Sequence, residues 1–70
     1  DVSENYSNYI YWTARSFIVL SDVYVSKNND FQAKETLKSV IDNYPKDEAN
    51  YNDVVKEAQD KLDIINARAN

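Results

Sequence analysis

The sequence predicts an all-α protein, an antiparallel unit of three helices. Its 70 residues include no glycine and one proline, so positions for the positive φ angles of tight hairpin turns are scarce. Apolar residues recur at intervals of three and four along three stretches, which is the spacing of one face of an amphipathic helix. Polar breaks at residues 27–30 and 45–50 separate the stretches. A chain of this length forms one small domain.

The first predicted helix covers residues 7–27, after a polar entry segment at residues 1–6, with Ser7 as the N-cap. One apolar stripe comprises Ile10, Ala14, Phe17, Leu20 and Tyr24. A second stripe comprises Tyr11, Ile18 and Val25 at seven-residue intervals. A helix that is apolar on more than one side is expected to pack between neighbours.

The second predicted helix covers residues 30–43. Asn28 is the best non-glycine candidate for the left-handed position that ends the first helix. Asn29 with Gln32 has the spacing of a capping box, and Pro45 stops the helix near Tyr44. Its apolar positions are Phe31, Ala33, Leu37, Val40, Ile41 and Tyr44. The short connection predicts that the first two helices lie antiparallel.

The third predicted helix covers residues 49–67. Its single apolar stripe comprises Tyr51, Val54, Val55, Ala58, Leu62 and Ile65. Glu57 and Lys61 are spaced for an ion pair within the helix. The remaining face is charged, so we expect it to face solvent.

The stretch from Ala14 to Pro45 resembles a tetratricopeptide (TPR) repeat. The residues that carry the resemblance are Phe17-x2-Leu20-Ser21-x2-Tyr24, then Ala33-x3-Leu37, then Pro45. The resemblance implies a helical hairpin in which Ser21 and Ala33 are small at the helix crossing, and it places Phe17, Leu20, Tyr24 and Leu37 between the helices. The third helix resembles the solvating helix that closes such arrays, so we expect a fragment from the C-terminal end of a longer solenoid.

Three residues depart from the family pattern. Val40 stands where the family usually has alanine, Asn28 where it often has glycine, and Phe31 is one residue closer to Ala33 than the usual aromatic. The run Val40-Ile41-Asp42-Asn43-Tyr44-Pro45, followed by a helix with Ala58 and Leu62, is similar to TPR proteins of bacterial envelope assembly and cell-division coordination. The sequence itself leaves the compartment open, and this likeness favours the bacterial cell envelope or periplasm.

Composition excludes several classes of function. The net charge is −4 with a pI near 4.5, whereas nucleic acids and acidic membranes attract clustered lysine and arginine. The chain has no cysteine and no histidine, which removes thiol chemistry and the commonest catalytic base and metal ligand. No apolar run is long enough to cross a membrane. We expect no cofactor and no membrane insertion.

An acidic group on the third helix is the obvious candidate for catalysis or cation binding. It comprises Asp53, Glu57, Asp60 and Asp63. Carboxylates at this spacing are ligands for a hard cation. Because Lys56 and Lys61 interrupt the group, we interpret it as a solvated face, and we expect no enzymatic activity and no metal.

An aromatic group at the start of the first helix is a candidate contact surface. It comprises Tyr6, Tyr9, Tyr11 and Trp12. Tyrosine and tryptophan are frequent anchors of protein interfaces. The group contacts either a partner or a preceding repeat, and the sequence does not choose between them.

The TPR resemblance also implies a concave binding side lined by first helices, which bears Arg15, Ile18, Asp22 and Val25. Arg15 would hold a carboxylate, and Ile18 with Val25 would hold an apolar side chain. The predicted function is a non-enzymatic protein-protein interaction module. The alternative is a structural cap or self-association element, a homo-oligomer that buries Tyr11, Trp12, Ile18 and Val25 against its own copies.

Overall fold

The computed structural model describes the backbone of residues 2–69 and the side chains of residues 6–68. Three helices make up the fold: α1 (Val2–Ser26), α2 (Asp30–Asn43) and α3 (Tyr51–Ala69). α1 and α3 run in the same direction, because Ser7 contacts Glu48 and Asp22 contacts Lys61, and α2 lies antiparallel to both. The prediction of an all-α three-helix unit is confirmed.

The start of α1 differs from the prediction. The helix begins at Val2 instead of residue 7, so residues 2–6 are helical and are not an entry segment; Asp1 lies outside the described residues. Ser7 is not an N-cap, because its hydroxyl donates to Glu48 Oε1 at 3.2 Å. The first six residues contain no glycine or proline, so nothing in their backbone preferences ends the helix.

The connection between α1 and α2 depends on two asparagines. Asn28 has φ 61°, the left-handed conformation that asparagine tolerates better than other non-glycine residues. The amides of Asn28 and Asn29 donate to the carbonyls of Val25 and Tyr24 at 3.0 and 2.8 Å, which is the Schellman pattern of a helix end. Asn29 Oδ1 then accepts from the Gln32 amide at 3.4 Å and caps α2.

One core connects the three helices. It comprises Ala14, Ile18, Ala33, Leu37, Val40, Tyr44, Val54, Ala58, Leu62 and Ile65. Ala33, Leu37 and Ala58 have no exposed surface, and Ser21 is also buried. The Ser21 hydroxyl donates to the Ile18 carbonyl at 2.6 Å, which satisfies a polar group that burial would otherwise penalise. The small residues Ser21 and Ala33 are therefore both buried.

The side of α1 that packs against the core differs from the prediction. Phe17 and Leu20, expected between the helices, are 41% and 37% exposed, whereas Ile18 is 2% exposed. The reason is that α3 packs on the side of α1 that bears Ile18. On α2, Phe31 is likewise exposed and does not join the apolar stripe.

Tyr44 fixes the end of α2. It adopts an extended conformation with ψ 128° before Pro45. Its hydroxyl donates to Asn50 Oδ1 at 2.5 Å, and its ring lies 6.3 Å from that of Tyr51. Burial is the main cause that raises the pKa of Tyr44.

Alkaline pH is therefore expected to destabilise the fold through Tyr44. Its pKa is higher in the folded chain than in the unfolded chain, where it is about 10, so the folded state binds more protons between the two values. This contribution to stability is complete below about pH 10 and is lost as pH rises through the folded pKa. Replacing Tyr44 by phenylalanine should remove about 0.5–1.5 kcal/mol at neutral pH, with the Asn50 hydrogen bond, and should flatten the alkaline decline.

Urea unfolding followed by circular dichroism between neutral and strongly alkaline pH measures this effect. Tyr9→Phe is the matched control, because Tyr9 is exposed, and it should retain the wild-type decline. A Tyr44→Phe variant that declines as steeply as the wild type would exclude Tyr44 as the cause.

Candidate functional site

Two ion pairs join α1 to α3. Arg15 Nη1 lies 2.5 Å from Glu57 Oε1, and Lys61 Nζ lies 3.1 and 3.2 Å from the two carboxylate oxygens of Asp22. The signs alternate, positive then negative along α1 and negative then positive along α3, so the pairing specifies one register of the two helices. The hydrogen bond to Glu57 raises the pKa of Arg15 against the opposing effect of desolvation.

The residues assigned to a concave binding side therefore lie in the contact between α1 and α3. Arg15 and Asp22 are paired, Ile18 is in the core, and Val25 packs against the core. The expectation that these four side chains are open to a partner is wrong for Ile18, which is buried, whereas Arg15 and Val25 are half-buried and Asp22 is exposed. In the stripe through Tyr11, Ile18 and Val25, Ile18 lies in the core of the same chain and the other two pack against that core.

The expected ion pair between Glu57 and Lys61 is also absent among the residues that the structure describes. Both side chains turn from α3 to α1 and pair there with Arg15 and Asp22. The spacing of charges along one helix predicts ion pairs within that helix. It contains no information about opposite charges that another helix brings closer.

Reversing one charge of a pair should weaken the contact between α1 and α3. Glu57→Lys places two positive charges together, and the double variant Arg15→Glu with Glu57→Lys restores an attraction. We expect a coupling free energy of about 0.2–1 kcal/mol, because both side chains are partly exposed. The coupling should fall when salt is added.

A double-mutant cycle from urea unfolding at low and high salt measures this coupling. The control cycle uses Lys56 and Asp60, whose pair at 3.2 Å lies within the outer face of α3 and does not join two helices. Equal losses from Glu57→Lys in the presence and absence of Arg15 would show that the pair does not contribute.

The two aromatic residues assigned to self-association have different surroundings. Tyr11 is half-buried against the core, whereas Trp12 is 64% exposed. Their rings meet edge to face with centroids 5.1 Å apart, a favourable geometry for aromatic pairs. Of the six residues that the sequence singles out, Trp12 and Asp22 are mainly exposed.

An open apolar surface lies between α1 and α2 in the described part of the chain. It is a groove of about 210 Å³, which we call the α1–α2 groove. Its lining residues are Tyr6, Tyr9, Ile10, Thr13, Ala14, Phe17, Ser39, Val40, Asn43, Tyr44 and Pro45. Every lining residue that the structure describes is uncharged. A cavity of about 150 Å³ can hold benzene, so the groove has room for an aromatic or aliphatic side chain.

The α1 side of this groove is a stripe of exposed apolar residues. Tyr6, Tyr9 and Phe17 are exposed, and Leu20 continues the stripe beyond the groove. Between Tyr6 and Leu20 the sequence has one charged residue, Arg15, and its charge is directed at α3. These positions recur at intervals of three and four, which is the sequence signal for this face, but the TPR resemblance places Phe17 and Leu20 in the interior.

The outer face of α3 has the opposite character. Its exposed positions are mainly Asn52, Asp53, Lys56, Gln59, Asp60, Asp63 and Asn66. Lys56 pairs with Asp60, and Gln59 donates to Asp63 at 2.9 Å. The outer face of α3 is therefore mainly polar, whereas the α1 side of the groove is apolar.

The acidic group on α3 does not converge on one point. Glu57 pairs with Arg15, and Asp60 pairs with Lys56. Among the described residues, no three acidic side chains lie close enough together to hold a metal ion. None of the helices that the structure describes combines the length and apolar character needed to span a bilayer.

Comparison with protein-family models, with curated proteins and with solved structures found no significant match to this chain. The description of the site therefore depends on its own geometry: an uncharged apolar groove between α1 and α2, and a polar surface on α3.

Proposed function

We propose that this chain is a non-enzymatic protein-protein interaction unit that receives a helix of a partner chain in the α1–α2 groove. The observation that carries the proposal is the exposure of Tyr9, Phe17 and their neighbours along an uncharged helix face. Contiguous apolar surfaces of this kind are typical of interaction sites.

The chemistry of the groove indicates the kind of partner. Its lining combines aromatic rings with hydroxyl and amide groups at Tyr6, Thr13, Ser39 and Asn43. A partner helix with apolar residues at intervals of three and four would bury those residues in the groove, which is helix-in-groove recognition. Because the lining is uncharged, the affinity should change little with salt concentration.

A selection from a displayed library of amphipathic helical peptides tests the proposal. Selected peptides should bind the wild type and should lose binding to the double variant Tyr9→Ser with Phe17→Ser. Ile64→Ser is the matched control, because Ile64 is exposed but does not line the α1–α2 groove. The proposal fails if no peptide is enriched, or if the groove variant and the control bind equally.

The resemblance of residues 14–45 to a TPR repeat supports this proposal and suggests a second one. In such an array the unit would be the C-terminal cap, with the α1–α2 groove packed against a preceding hairpin. The specific observation that favours a cap is the contrast between the polar outer face of α3 and the apolar face of α1, because terminal repeats need a polar outer side.

A fusion experiment tests the cap proposal. A designed TPR hairpin joined ahead of Val2 should stack on the groove and raise the urea midpoint of residues 2–69. The same fusion with Phe17→Asp should lose that increase. A fusion whose two parts unfold independently, at the midpoints of the separate pieces, would contradict the cap proposal.

A further inference from the structure

We propose that a second copy of this chain occupies the α1–α2 groove, with α1 packed antiparallel to α1 of the other copy about a two-fold axis at Thr13. This inference rests on the proposed function, because it names the partner for the same surface. Three features of the exposed stripe on α1 support the inference: the spacing of its residues, the small size of the residue at its centre and the absence of charge along it.

The spacing of the stripe is symmetric about Thr13. Tyr9 and Phe17 lie four residues to either side of Thr13, and Tyr6 and Leu20 lie seven residues to either side. A two-fold axis through Thr13 therefore sets Tyr9 against Phe17 of the other copy and Tyr6 against its Leu20. A surface that meets itself in this way forms an isologous, closed dimer.

The sizes of the side chains fit a crossing at Thr13. Thr13 is a small side chain between larger ones, so two helix backbones can approach most closely there. The aromatic and aliphatic side chains farther out then enter the grooves on either side of the crossing. Each groove measures about 210 Å³, and each copy supplies exposed rings at Tyr9 and Phe17 to fill the groove of the other.

The charges of the chain allow this pairing. Each copy has a net charge of −4, and two such chains repel each other. The α1–α2 groove places no charge at the contact, since Arg15 is paired with Glu57 and Asp22 with Lys61 on the opposite side of α1. Like charges are therefore absent from the contact formed by the described lining residues.

Sedimentation equilibrium from micromolar to millimolar protein is the first test. We expect a monomer–dimer equilibrium in the wild type. Phe17→Asp should weaken it by at least about 30-fold, the loss expected for a central interface residue. Ile64→Asp introduces the same charge at an exposed position outside the groove and should leave the equilibrium unchanged.

Tyr9→Asp provides a second groove variant if Phe17→Asp does not fold by circular dichroism, because the Tyr9 side chain is 68% exposed. A wild type that remains monomeric over the whole concentration range overturns the inference. So does a dimer that Ile64→Asp weakens as strongly as the groove variants.

Disulfide formation tests the register. The chain has no cysteine, so a single introduced thiol can react only with its copy. Thr13→Cys should form a dimer under mild oxidation, because a residue on the two-fold axis meets itself at a distance that a disulfide can span. A mixture of Tyr9→Cys and Phe17→Cys chains should cross-link mainly as the mixed pair. Gln59→Cys, on the outer face of α3, should remain largely uncross-linked.

The register is wrong if Thr13→Cys cross-links no faster than Gln59→Cys. The inference and the proposed function fail in different ways. A monomeric wild type whose groove still binds selected helical peptides contradicts only the dimer. A monomeric wild type whose groove binds no helical peptide contradicts both.

Discussion

Ile18→Ala is expected to destabilise the protein by about 2–5 kcal/mol, the range for truncating a large aliphatic side chain in a core. Ile18 is 2% exposed and lies between the two ion pairs that join α1 to α3. A domain of this size has a total stability of roughly 3–10 kcal/mol. The variant should therefore lose a large part of its stability in urea unfolding followed by circular dichroism.

Val19→Ala is the matched control for Ile18→Ala, because it truncates the next residue of the same helix, where the side chain is exposed. It should change stability by less than about 0.5 kcal/mol. Ile18→Val should cost about 0.5–1.5 kcal/mol, which keeps the comparison measurable if Ile18→Ala does not fold. Equal effects at residues 18 and 19 would contradict the described facing of α1.

Leu37→Ala is expected to have an effect of similar size, about 2–5 kcal/mol. Leu37 has no exposed surface and lies in the core on α2, the helix that packs against both others. A cavity there would loosen both helix contacts at once. The far-ultraviolet circular dichroism at low urea should therefore fall together with the urea midpoint.

Ile64→Ala is the control for Leu37→Ala, since it removes an aliphatic side chain of similar size from an exposed position. Its effect should stay within about 0.5 kcal/mol. Equal urea midpoints for the two variants would contradict the burial of Leu37 in a core between α2 and the other helices.

The parts of the fold that the sequence predicts are those with local causes. Asn28 tolerates positive φ, Asn29 caps the next helix, and Pro45 excludes its own neighbour from helical geometry, so the limits of α2 follow from single residues. The start of α1 has no such marker. Polar residues ahead of Ser7 suggest an unstructured segment, but no residue there prevents helix formation, and the helix extends to Val2.

The side of α1 that is buried depends on the packing of the other helices and not on the local sequence. Phe17 and Ile18 are adjacent apolar residues in a helix that is apolar on most sides, and periodicity alone assigns either of them to the core. α3 decides the outcome by covering the side with Ile18. The same packing pairs Arg15 and Asp22 with residues of α3 and leaves the groove beside Phe17 open.

The helix α1 has two faces with different surroundings. Its face through Ile18 is covered by α3, with alternating ion pairs at Arg15 and Asp22 that favour one register. Its face through Tyr9 and Phe17 lines an uncharged groove. This second face is the basis of the proposed interaction function and of the proposed dimer.

Isotope-filtered nuclear Overhauser spectra of a mixed labelled and unlabelled sample test this division of α1 most directly. We predict contacts within one chain between the Ile18 methyl groups and methyl groups of α3, such as that of Ala58. We predict contacts between chains from the Phe17 ring, to Tyr9 of the other copy. Ile18 methyl groups that contact only the other chain, or that show no contact with α3, would contradict the described packing of α1.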